Sequence, residues 1–105
     1  MASSPDYLSR PFSPLFGNGL RTRGREYWSQ GAVQITRNEP DRVEAFVRGA
    51  REYRVVLRVQ APRLVVACTC PFFMDNEACK HIWAVMLEAE RGLMLGAGEH
   101  QLSQL

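Results

Sequence analysis

The spacing of apolar residues changes character twice along the chain. Leu20, Gly24, Tyr27 and Trp28 fall at helical intervals and Gly31 supplies a stop, so a short helix is predicted over about residues 19–30. From Val33 the period drops to two. Val33 and Ile35 alternate with Gln34 and Thr36, Asn38 to Asp41 make a turn, and Val43, Ala45 and Val47 alternate with Arg42, Glu44 and Arg48 as far as Gly49. Tyr53, Val55, Leu57 and Val59 then share one face with Arg54, Arg58 and Gln60 on the other, Pro62 turns the chain, and Leu64 to Cys68 make a short fourth strand. This predicts an antiparallel meander over residues 32–68 with one face buried. Beyond Cys70 the helical period returns in Ile82, Val85, Met86, Ala89 and Leu93, with Asp75 or Asn76 as a start and Gly92 or Gly96 as an end.

The predicted class is therefore α+β: a small antiparallel sheet, one short helix before it and one after it. The ends lack pattern. Residues 1–18, with three prolines and several serines, read as a flexible tail, residues 19–95 as the folded domain, and residues 96–105 as a second tail.

Composition narrows the class. With 105 residues, 46% hydrophobic and 23% charged, the chain suits one folded domain. No apolar run approaches the ~20 residues needed to span a bilayer, and the N-terminal stretch is not patterned as a secretory signal. A cytoplasmic protein without membrane contact is the expectation. A domain this small often needs a staple, and three cysteines cannot all pair within one chain, which favours a metal over a disulfide framework.

Charge is uneven. Residues 1–63 carry eleven arginines against six acids, whereas residues 64–105 carry Lys80 and Arg91 against five acids. The net charge of +2 permits nucleic-acid binding without requiring it.

The candidate chemistry is concentrated in fourteen residues. Cys68-Thr69-Cys70-Pro71 is followed by Cys79-Lys80-His81, with eight residues between Cys70 and Cys79. Zinc takes four such ligands tetrahedrally, and a Cys3His set with no open position is the structural type. The first pair leaves a strand and the second sits at the start of a helix, where free N–H groups and the positive dipole end favour thiolates. Cys68 and Cys79 as ordinary core residues, or Cys68 and Cys70 as a redox pair, are the alternatives. A Cys/His catalytic dyad would need a base oriented by a third group and a substrate cleft. A zinc hydrolase would keep a water-occupied fourth site, which four protein ligands already fill here, so no enzyme and no small-molecule substrate is expected.

The C-x-C…C-x-H pattern, a β-segment before it and a helix after it, resembles the SWIM zinc finger. The segments Arg23 to Tyr27, Gly31-Ala32-Val33, Gly49 with Tyr53-Arg54-Val55, and Cys79 to Val85 resemble its bacterial members. The resemblance implies a ββα module holding Zn2+ through Cys68, Cys70, Cys79 and His81. It also implies DNA or protein binding, in association with Swi/Snf-type helicase-like ATPases or with recombination partners. No phosphate-binding G-x-x-x-x-G-K-[ST] run is present, so ATP hydrolysis is not assigned to these residues.

Two sets of contact residues follow. Lys80, between two ligands, points away from the metal. With Arg21, Arg23 and Arg25, and with Arg54 and Arg58, it forms the candidate nucleic-acid set, the helix arginines making a basic edge with the strand arginines; ordinary solvated side chains are the plainer reading. Phe72 and Phe73 in the knuckle are the candidate partner contacts, for docking on an ATPase or another protein. Trp83, one turn after Cys79, is expected to shield the metal site.

Overall fold

A computed structural model describes residues 12–60, 63–70 and 79–92. After a single 3-10 turn at Ser13–Leu15 the chain forms helix α1 (Asn18–Ser29), strands β1 (Val33–Glu39), β2 (Arg42–Arg48), β3 (Glu52–Gln60) and β4 (Arg63–Cys68), and helix α2 (Lys80–Arg91). The strands pair antiparallel in the order β1-β2-β3-β4, the meander that the period-two pattern predicts. Gly31, at φ 73°, takes a left-handed turn that a side chain would oppose, and it ends α1 two residues before β1.

Register assigns each face. Val33 lies opposite Val47, Val47 opposite Tyr53, Val55 opposite Cys68 and Val59 opposite Leu64. Val43, Ala45, Val47, Val55, Leu57 and Leu64 are buried on this inner face. Helix α2 covers it, touching all four strands and adding Ile82, Val85, Met86 and Ala89, while α1 packs on α2. Each buried Val, Leu or Ile contributes roughly 1.5–3 kcal/mol relative to exposure.

One irregularity decides what faces solvent. Ile35 pairs with Ala45, but the next pair is Arg37 with Glu44, so Thr36 is an extra residue in β1. Without this bulge the strict alternation would turn Arg37 into the core; with it, Arg37 lies on the outer face beside Glu44. The Thr36 hydroxyl donates to the Glu44 carbonyl at 3.2 Å.

The two helices meet at Gly24. A Cβ placed there would lie 2.7 Å from the Lys80 carbonyl oxygen and 2.8 Å from Trp83 Cδ1, so the close approach requires glycine. Trp28 reinforces the contact by donating from Nε1 to Glu88 Oε1 at 3.0 Å.

Two residues within the stretch read as an N-terminal tail are buried. Phe12 and Phe16 are buried at 0% and 1% exposure, and Phe16 packs on Trp83 with ring centroids 5.0 Å apart. Two aromatic rings remove enough apolar area from water to hold this stretch against the helices. Residues 12–17 therefore belong to the folded unit. Among the described residues no helix is long and apolar enough to cross a membrane.

Candidate metal centre

The end of β4 and the start of α2 bring the four predicted donors together. Cys68 is the last residue of β4, on its inner face, and Cys70 follows after one intervening residue. Thr69 between them is tied to β3: its N–H donates to the Arg54 carbonyl at 3.1 Å and its hydroxyl accepts from the Arg54 N–H at 3.0 Å. Cys79 is the N-cap of α2 and His81 lies in its first turn. The three sulfurs and one ring nitrogen lie within 4.8 Å of one another, and all four residues are buried.

This spacing fits a tetrahedral ion. Zn–S bonds of about 2.3 Å and Zn–N bonds of about 2.0–2.1 Å put neighbouring donors about 3.6–3.8 Å apart. Cys68 Sγ and His81 Nδ1 stand 3.9 Å apart, close to one such edge. The three cysteines are free thiols rather than a disulfide. The chemistry of the set is equally specific: three thiolates and one imidazole suit zinc better than a hard cation that seeks oxygen.

The charge state is prepared locally. A hydrogen bond from the Cys68 thiol lowers the pKa of Cys79 to about 4, helped by His81 and by the Ile82 N–H, against the cost of burial. Cys68 is pushed upward, first by that same bond to Cys79 and then by burial, although the Cys70 N–H donates to its sulfur. Zinc takes cysteine as the thiolate, so metal binding releases the protons these thiols carry.

His81 is gripped by two tyrosines not anticipated in this role. The Tyr53 ring lies 4.4 Å and the Tyr27 ring 5.3 Å from the imidazole, centroid to centroid. Its Nδ1 faces the cysteine sulfurs, and its Nε2 is buried with no hydrogen-bond partner among the described residues. Trp83, expected to shield the site, instead packs on Phe16 and against Gly24. The signal that could have found the tyrosines is their place in the resembling segments around Gly24 and Gly49.

The candidate contact residues separate into two groups. Lys80 and Arg23 line one open cleft with Glu26, Tyr27 and Gln30, and Lys80 Nζ lies 6.0 Å from the Tyr27 ring. Arg21 bonds the Asn18 side chain, and the Arg25 guanidinium lies 5.9 Å from the Trp28 ring. Arg54 and Arg58 project from the opposite side of the sheet, away from the helices. Arg21, Arg23 and Arg25 lie on α1, which packs on α2. Phe72 and Phe73 lie outside the described residues.

Arg54 has a local partner that sequence reading missed. Glu44, on the outer face yet only 8% exposed, takes Arg42 Nε and Arg54 Nη2 at 2.7 Å each and Arg37 Nη1 at 3.7 Å. The hydrogen bond from Arg54, with the neighbouring Arg42, holds its carboxyl below the usual range despite partial desolvation.

A family model described as SWIM zinc finger matches residues 64–90, the segment from β4 through α2 that contains all four donors. No curated protein and no solved structure matches the chain.

Proposed function

We propose that this chain is a structural zinc module that binds DNA and positions a larger DNA-acting ATPase. The observation that carries the structural part is the closed, buried Cys3His cluster joining β4 to α2. Four protein donors leave a tetrahedral ion no position for water or substrate, so the ion's work is to pin the helix to the sheet, not catalysis. When bound, zinc supplies two positive charges against three thiolates and fixes the geometry of the turn. Cys68 and Cys70 hold it from the strand side, Cys79 and His81 from the helix side, and Tyr27 with Tyr53 keeps the imidazole in place.

DNA is favoured by charge. Twelve of the chain's thirteen basic residues are arginine, the side chain best shaped for phosphate, and most of them lie in the sheet and in α1. The test is a salt-titrated binding assay using zinc-loaded protein and a Cys79→Ser variant. Affinity that falls steeply between 50 and 200 mM salt is the expected signature of phosphate contacts. Undetectable binding at low salt would contradict the DNA reading and favour docking on a protein partner.

A further inference from the structure

We propose that the open outer face of the sheet is the DNA-docking surface, and that it takes a single strand with one base entering the hollow beside Phe46. This rests on the DNA-binding reading above. Both helices lie over the inner face, and among the described residues no element covers the outer one. The register places six arginines on that face (Arg37, Arg42, Arg48, Arg54, Arg58 and Arg63) against three glutamates, Glu39, Glu44 and Glu52.

The arginines outnumber the acids that pair with them. Glu44 is shared by Arg37, Arg42 and Arg54, and Glu39 adds a longer contact to Arg37 at 3.7 Å, so two carboxylates answer three guanidiniums. Arg58 sits directly opposite Arg42 in the β2–β3 register and makes no ion pair among the described residues. Like charges opposed across strands repel unless an anion relieves them. A phosphate backbone along this row supplies that anion, and Glu44 holds the flanking guanidiniums in position for it.

Width and shape select a single strand. Four strands about 4.8 Å apart span about 14 Å between the outer strand axes before side chains are added. The major groove of duplex DNA is about 12 Å wide, so this sheet cannot enter it face-on. At one end of the face a hollow of about 270 Å3 is lined by Gln34, Phe46, Arg48 and Glu52, with Gln30 and Gly31 at its rim. Phe46 offers an aromatic wall, Gln34 lies directly opposite it, and the amide, guanidinium and carboxylate present donors and acceptors to a base edge. Only an unpaired, unstacked base can use such a site. A flat arginine-bearing face with an aromatic stacking point is the arrangement by which proteins bind single strands.

The experiment measures fluorescence anisotropy of zinc-loaded full chain with a labelled 15-nucleotide single strand and with the duplex of the same sequence, over 50–200 mM NaCl. The expected result is tighter binding to the single strand. Arg58→Ala and Phe46→Leu should each weaken it roughly five- to tenfold. Arg58→Ala should also lower the salt slope by about 0.7, one phosphate's share on a single strand, whereas Phe46→Leu should leave the slope alone. Arg58 is exposed and makes no ion pair among the described residues, so its variant tests the surface even if Phe46→Leu folds poorly. Unchanged affinity in Arg58→Ala overturns the proposal. So does a stronger preference for duplex, and so does loss of binding in an Arg23→Ala/Arg25→Ala variant with both sheet variants unaffected. Those outcomes leave DNA binding itself standing, whereas no binding to either probe at 50 mM salt overturns both.

Discussion

Glu44 is a carboxylate on a solvent-facing sheet surface, kept 8% exposed by the arginine side chains that close over it. Because Arg54 and then Arg42 hold its pKa below the ordinary 4.5, its ionised form stabilises the fold at neutral pH. That contribution is complete above the unfolded value and is lost as pH falls through the lower folded value. Glu44→Gln should therefore reduce the urea midpoint at pH 7, with the gap from the natural protein closing below about pH 4.5. A gap that stays constant from pH 7 to pH 3 would show that the carboxylate's charge is not what matters. At His81, Tyr53→Ala removes the nearer of the two rings while leaving all four donors. We expect weaker zinc retention in a competition assay with a chromogenic chelator, by about the 10–100-fold typical of groups that orient metal ligands.

At the scale of elements, the α1–α2 crossing is the most exacting contact. Gly24→Ala gains up to about 1 kcal/mol of helix propensity but forces a methyl group into the Lys80 carbonyl and the Trp83 ring. Overpacking of this kind costs about 1–3 kcal/mol, so net destabilisation by urea unfolding is expected, and a more stable variant would contradict the close approach. Phe16→Ala should cost about 3–5 kcal/mol if the ring is core, as its burial on Trp83 indicates, and little if it were part of a tail.

These elements also mark how far the sequence could be read. Val43 to Val47 and Tyr53 to Val59 declare their strands because half-buried β structure alternates strictly, and the α2 pattern is equally periodic. The four metal donors were legible because their spacing is local and their chemistry restricted. Phe12 and Phe16 were not, since they stand between Pro11 and Pro14 or beside Gly17 in irregular backbone that has no period to betray burial. The Thr36 bulge was hidden because the alternation stops at Ile35, and the polar run Thr36 to Glu39 leaves no apolar residue to mark the slip in pairing.

For the molecule as a whole, the metal site and the core are one body. Cys68, Cys70 and Cys79 pack within the same apolar cluster as Leu57, Ile82 and Met86, and α2 reaches across all four strands. Sequence alone suggests that chelation would cost the knuckle-to-helix structure and affect the upstream sheet less. The packing argues otherwise, because losing α2 would expose the sheet's entire inner face. Structural zinc contributes apparent binding energies of about 10–16 kcal/mol in finger peptides, at least as much as the 5–15 kcal/mol net stability of an ordinary domain. Helix and sheet should therefore be lost together.

Whether one zinc ion pins β4 to α2 is measured most directly by a chelator titration in which bound zinc and far-UV circular dichroism are read on the same sample. One zinc per chain is expected at the outset, none retained stoichiometrically by Cys79→Ser, and a helix-and-sheet signal that falls in proportion to zinc removed and returns when zinc is restored. A chain that gives up all its zinc and keeps its signal and melting temperature would contradict it.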